Sequence, residues 1–352
     1  MTTRRQMLAA AGFAAAWLPA RPAHAQAPSR QMRNLGGAPT GFGARARAGR
    51  EGNQGFDFVD YCHSLGLGVV ETRLASTDPE SIKKFRQKLD SYNMRVILDI
   101  PLPRDQSGAP AFDAAVKAAK EAGAFSLHSA MTQRRYEQHD TLEAFKSDFE
   151  RCQKTVAMAE PILRKHQLRL GIENHKGWRA MEQAAWMKRL SSEWVGVHFD
   201  FGNNVSLCED PADTLRILLP YTVASHIKDM AVEPYEDGFL LSEVPLGEGF
   251  LNLPEMVRTL HKKDPNLPLD LETITREPLK IPVFTDKYWA TFDDSYSPLP
   301  GRDLAHVLEL VRKNKPKNPL PRTAGLTPAA QVKLEDENNL KSIQYAQQHL
   351  DV

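Results

Sequence analysis

Eight short apolar runs recur along the chain, each parted from the next by a stretch long enough for a helix, and this alternation restricts the fold more than any other feature. The runs are Met32–Gly36, Gly68–Leu74, Arg95–Ile100, Phe125–Ser129, Arg169–Glu173, Val195–Phe201, Val223–Ile227 and Pro268–Thr273. They are continuously apolar, as parallel strands covered on both faces should be. The clearest intervening helix begins at Asp140, read as its N-cap, with Glu143 three positions on as in a capping box. Its Leu142, Phe145, Phe149, Cys152, Val156, Ala159 and Leu163 fall on one face. A second runs from Phe112 through Val116 and Ala119 to a stop at Gly123, and Leu304–Val311 makes the last. Strands and helices alternating eight times predict an α/β fold, a single (β/α)8 TIM barrel over residues 26–315, better than an open doubly wound sheet. The stretch from Gly36 to Gly52 reads as a long irregular loop.

Three other segments break the pattern. Residues 233–250 and 276–300 read as long connections on the face where the strands end. The second carries Phe284, Tyr288, Trp289, Phe292 and Tyr296, and suits either a substrate-covering loop or a packed flap. Residues 316–352 form a C-terminal extension with a polar helix expected over Val332–His349, and its sequence suggests no function. At the other end, residues 1–25 read as an export signal: Arg4-Arg5, a modestly apolar run to Leu18, then Ala23-His24-Ala25 for a signal peptidase. The paired arginines point to the twin-arginine route and a periplasmic or secreted location.

Charge and cysteine content narrow the function classes. Removing residues 1–25 takes Arg4, Arg5 and Arg21 and no acid, so 45 basic residues become 42 against 44 acidic ones. Such a balance gives no electrostatic footprint for nucleic acid. After signal removal no run is long enough to span a membrane. Cys62, Cys152 and Cys208 are few and scattered and make neither a disulfide framework nor a zinc-knuckle spacing. Self-association stays open.

The chemistry concentrates at four strand ends. In a barrel, side chains at the C-terminal ends of strands converge on one pocket. The fifth to eighth runs read Leu-Gly-Ile-Glu173, Val-His-Phe-Asp200, Ala-Ser-His226 and Leu-Asp-Leu-Glu272. Apolar strands have no packing reason to end in carboxylates, which when buried require a cation or a proton. Three carboxylates and an imidazole suit one divalent ion, Mn²⁺, Mg²⁺, Co²⁺ or Zn²⁺. No Gly-x-Ser-x-Gly elbow and no Gly-x-Gly-x-x-Gly loop supports a serine hydrolase or a nicotinamide enzyme.

Ile-Glu-Asn-His (172–175), Asp-Phe-Gly-Asn (200–203), His-Ile-Lys-Asp (226–229) and Pro-Leu-Gly-Glu-Gly (245–249), taken as a set, resemble the xylose isomerase-like TIM-barrel superfamily. That group holds sugar phosphate isomerases and epimerases, tagatose epimerase-type enzymes, hydroxypyruvate isomerase and inosose dehydratase. The resemblance implies that Glu173, Asp200, His226 and Glu272 hold the metal, and that Glu173 and Glu272 also act as the catalytic acid/base pair on a small carbohydrate. It implies isomerisation or epimerisation, with dehydration as the rival outcome and a non-catalytic carbohydrate-binding barrel as the alternative. One departure stands out: Asn203 occupies the place of a second histidine in the epimerases. Further substrate-binding candidates are His175, Lys228, Asn203, Trp178, Arg179 and Glu248. Glu71, Arg73 and His128 are expected to face the barrel mouth. Export favours a free sugar, polyol or oxidised glycoside over a phosphorylated intermediate.

Overall fold

The computed structural model describes residues 31–51 and 56–352, so the expected export signal lies outside the described residues. The strands are β1 (Met32–Gly37), β2 (Leu67–Thr72), β3 (Arg95–Asp99), β4 (Ser126–Ser129), β5 (Leu170–Glu173), β6 (Val195–Asp200), β7 (Thr222–Ile227), β8 (Asp229–Tyr235), β9 (Gly238–Val244), β10 (Leu269–Leu271) and β11 (Leu279–Ile281). Eight of them close a parallel barrel in the order β1-β10-β7-β6-β5-β4-β3-β2, so each of the eight apolar runs contributes one staff. Their outward side chains meet the helices in one continuous core, while Val69, Ile97 and Ala224 plug the lower interior of the barrel. Gly171 makes room there: a Cβ on it would sit 2.9 Å from that of His198.

Three sequence readings change, and one left open is narrowed. The stretch after β1 is not irregular, because residues 39–42 form a 3-10 turn and Gly43–Glu51 a helix. The long helix starts one residue later than expected. Thr141 is its N-cap, accepting from the Ala144 N–H at 3.2 Å, while Asp140 pairs with Lys287. The two long connections are ordered by each other, since β8 and β9 form an antiparallel hairpin and β11 pairs with β9. The aromatic segment is mainly a packed flap: Tyr288 is fully buried with its hydroxyl donating to the Ser206 carbonyl at 2.9 Å, and of its aromatic side chains only Phe284 and Tyr296 are exposed.

The C-terminal extension is built into the barrel's open end. Its helix, Pro328–His349, lays Glu335 against the start of the Gly43–Glu51 helix, where its two oxygens accept from the Ala44 and Arg45 N–H groups at 2.7 and 2.8 Å. A carboxylate there satisfies donors that a helix start leaves unpaired. Asn339 donates to the Gly41 carbonyl, Asn338 to Thr275, and Ser342 accepts from the Leu246 N–H. These contacts tie together the loops that follow β1, β9 and β10. Among the described residues no helix is long and apolar enough to cross a membrane.

Candidate metal centre

Strand alternation decides what faces the barrel interior. Side chains two residues apart share a face, so Asp200 on β6 brings His198 inward beneath it, and Glu272 beyond β10 brings Asp270. The result is two polar tiers above the apolar plug. Glu173, Asp200, His226 and Glu272 form the upper tier, with one donor atom from each lying within 4.8 Å of all the others. Glu71, His128 and His198 form the lower tier, and His226 reaches both.

The upper tier fits a divalent ion by its unmet bonding as well as its composition. Asp200 Oδ1 and His226 Nδ1 are buried without a hydrogen-bond partner, which is costly unless something else binds them. His226 Nε2 donates to Glu71 Oε2 at 2.9 Å, so Nδ1 is the nitrogen turned toward Glu272, 3.6 Å away. A carboxylate behind a ligating imidazole fixes its ring and raises its basicity. Asn174 braces the aspartate from behind, accepting from the Asp200 N–H at 2.6 Å and donating to its carbonyl at 3.0 Å.

Lys228 and Asn203 bind the ligand carboxylates from the mouth side. The Lys228 ammonium pairs with Asp200 Oδ2 at 2.7 Å and donates to Glu272 Oε2 at 2.6 Å, and Thr40 donates to Glu272 Oε1 at 2.6 Å. Asn203 Nδ2 donates to Glu173 Oε1 at 3.2 Å and to Asp200 Oδ2, while its carbonyl oxygen accepts from Lys176. His128 Nε2 meets the other Glu173 oxygen at 3.3 Å.

The metal-free electrostatics follow from burial and these partners. Burial pushes the carboxyl of Glu173 up, but His175, the hydrogen bond from His128 and nearby His226 outweigh it and hold the group well below its usual range. Glu272 is also lowered, burial being overcome by Lys228 and His226. In Asp200 burial prevails over Lys228, and the carboxyl is raised well above its usual range. Burial alone would lower His226, yet the charges of Glu71 and Glu272 lift it to about 10. A metal therefore has to displace a proton from His226. Titration of a divalent ion into the metal-free protein at pH 7 should release at least one proton per site, His226 giving one and the raised Asp200 carboxyl adding whatever it holds, and affinity should fall at least about tenfold per unit as pH drops. Calorimetry in buffers of different ionisation enthalpy measures this, and heats independent of the buffer would exclude His226 as a ligand.

The remaining site expectations divide. Lys228 and Asn203 lie in the cluster. His175 lies beside it, donating Nδ1–H to the Thr132 carbonyl at 2.6 Å and lowering the carboxyl of Glu173. Three others are elsewhere. Trp178 is 1% exposed and packs between Phe149 and Trp186, with ring centroids 5.3 and 5.2 Å away. Arg179 points to the outer helices, pairing with Glu209 at 3.3 Å and Asp303 at 3.1 Å. Both follow β5 too late to be aimed by it. Glu248 serves the C-terminal extension, binding Asn318 at 3.0 Å and Lys341 at 3.3 Å. Glu71 and His128 sit one tier lower than the mouth, and Arg73 is exposed, 3.5 Å from Asp99. Sequence reasoning passed over His198, Asp270 and Lys176. The period-2 rule applied backwards from Asp200 and Glu272 finds the first two; Lys176 lies in a loop and left no such signal.

Comparison with known proteins bears on this arrangement. The model of the xylose isomerase-like TIM barrel matches residues 55–290. The chain is 27% identical over 161 residues to the uncharacterised protein YihM of Escherichia coli strain K12, an alignment covering 45% of each. It is also 27% identical over 109 residues to a 3-oxo-isoapionate decarboxylase of Pectobacterium atrosepticum, covering 30% of this chain and 40% of that one. The chain thus spans less than half the length of the curated relatives it matches. Among solved structures, a D-psicose 3-epimerase crystallised with D-fructose superposes with a TM-score of 0.56 at 13% identity, over 91% of this chain and all of that one, a likeness of fold.

Proposed function

The chain belongs to the xylose isomerase-like TIM-barrel family, and from that premise we propose that it is a divalent-metal-dependent isomerase or epimerase of a sugar or keto-sugar, working by proton transfer through an enediolate. The observation that carries this reading is the placement of Glu173 and Glu272 in one four-residue cluster, on strands that β6 and β7 separate in the barrel wall. Glu173, Asp200, His226 and Glu272 would hold the ion. When bound, it would supply an electrophile for the substrate's carbonyl and neighbouring hydroxyl oxygens.

The residues of the chain would do the rest. Glu173 and Glu272 are held ionised, so either can accept a proton from a carbon between them. Removal by one, and delivery to the opposite face by the other once it has itself taken up a proton, inverts a centre; return of the abstracted proton to the neighbouring carbon exchanges aldose for ketose. Asn203 fixes Glu173, and Thr40 with Lys228 fixes Glu272, so each carboxylate keeps its direction. Burial of all four groups excludes bulk water.

One observation favours a second reading. The Lys228 ammonium touches Glu272, so an acid stands beside a base, and loss of a β-hydroxyl from the same enediolate would make the protein a lyase. Both readings pass through one proton abstraction. The metal-loaded protein should therefore exchange a substrate C–H hydrogen with deuterated water across a panel of ketoses and keto-sugars. Epimer or isomer identifies the first reading and dehydrated product the second, while absence of exchange across the panel sinks both and leaves a carbohydrate-binding barrel. Residues 1–25 support placing this chemistry outside the cytoplasm, after twin-arginine export, on a free sugar, polyol or oxidised glycoside.

A further inference from the structure

Among the described residues three lysines and arginines are buried, and two of them meet carboxylates: Lys228 has Asp200 and Glu272, and Arg135 has Glu182. Lys176, 2% exposed, has no carboxylate within 4.0 Å among the described residues, and its ammonium donates only to the Asn203 side-chain oxygen. An ammonium taken from water without a counter-charge is unfavourable, and it persists only where something else requires it.

The backbone at Lys176 is unusual as well. Its φ of 48° lies in the left-handed region, although glycine, the residue suited to that conformation, is its neighbour Gly177. The Arg135 N–H donates to the Lys176 carbonyl at 3.1 Å and the Lys176 N–H to that of Asn174 at 3.3 Å, holding the turn in place. Strain kept at a lysine, where a glycine would relieve it, marks a side chain held for use. Asn203 is the connection, because the amide that accepts from Lys176 donates to Glu173 and Asp200. The ammonium is thus one side chain removed from the upper tier.

We propose that Lys176 anchors a carboxylate of the substrate, which makes the substrate a sugar acid or keto-sugar acid rather than a neutral sugar. The surroundings of Lys176 agree: Glu243 and Asp200 are near enough to favour its charge but do not touch it, and a carboxylate of the substrate would supply the direct partner that is lacking. Asn203 takes part by holding the ammonium to one side of the ligand carboxylates, so that the acid and the reacting carbons belong to one molecule.

The inference rests on the mouth being the sugar site proposed above, but not on turnover there. Calorimetric titration of the full, metal-loaded chain with D-gluconate, D-galactonate and D-glucuronate, against sorbitol and sorbitol 6-phosphate, tests it. At least one acid should bind at least about tenfold more tightly than the polyol. Lys176→Met should remove that preference and Lys176→Arg should keep it, with metal stoichiometry unchanged in both. Thermal unfolding should show Lys176→Met no less stable than the parent, since it loses a buried unpaired charge. Acids that bind no better than sorbitol, a preference for the phosphate, or acid binding that survives in Lys176→Met would each overturn the proposal. Acid binding that depends on Lys176, without solvent exchange on any substrate, would leave this site standing and remove the isomerase reading.

Discussion

Glu272→Gln should reduce solvent exchange of substrate hydrogen by about 10²–10⁴-fold, the contribution expected of a positioned proton-transfer group. The substitution keeps one oxygen for Lys228 and turns an amide N–H toward the Thr40 hydroxyl, which can accept it, and it leaves Glu173, Asp200 and His226 as donors, so the protein should still load metal. Metal content measured on the same sample separates loss of the base from loss of the ion. Glu173→Gln should fall by a comparable factor, and the double variant little further, because the two act as a unit in one reaction. A loss smaller than about tenfold in metal-replete Glu272→Gln would rule out the acid/base role and reduce Glu272 to a ligand.

Trp178→Ala should cost about 3–5 kcal/mol of folding stability, as removal of a fully buried aromatic does. Trp178 fills the space between the long helix, through Phe149, and the Ala180–Leu190 helix, through Trp186. Its distance from the two polar tiers means that exchange by the surviving folded fraction should be unchanged. Denaturant midpoints together with exchange rates measure both. A variant of parental stability with a raised KM would return Trp178 to the role of a sugar-stacking ring.

The two outcomes mark where sequence alone was informative. The barrel was legible because strands covered on both faces must be apolar throughout, and eight such runs leave few alternatives. Glu173, Asp200, His226 and Glu272 were legible because a charged residue at the end of an apolar strand lacks a packing explanation. Trp178, Arg179 and Glu248 failed for one shared reason: each lies in a loop, and no periodicity tells which way a loop side chain turns. Lys176 was missed on the same account, although it lies three residues from Glu173. The ordered state of residues 233–250 and 276–300 also escaped, since each half of the β8–β9–β11 sheet reads as a connection when considered without its partner.

The Pro328–His349 helix has a consequence in time. Glu335 reaches back 291 residues to the Ala44 N–H, and Asn339 reaches back 298 to Gly41. Contacts so far apart in sequence form late and slowly, because a long loop must close before they contribute. A chain leaving the ribosome can thus assemble every staff of the barrel while the rim around Gly41, Thr275 and Leu246 is still unsecured. The order of synthesis leaves an interval in which the interior is formed but its rim is not, and the Pro328–His349 helix, which emerges after every strand, brings that interval to an end.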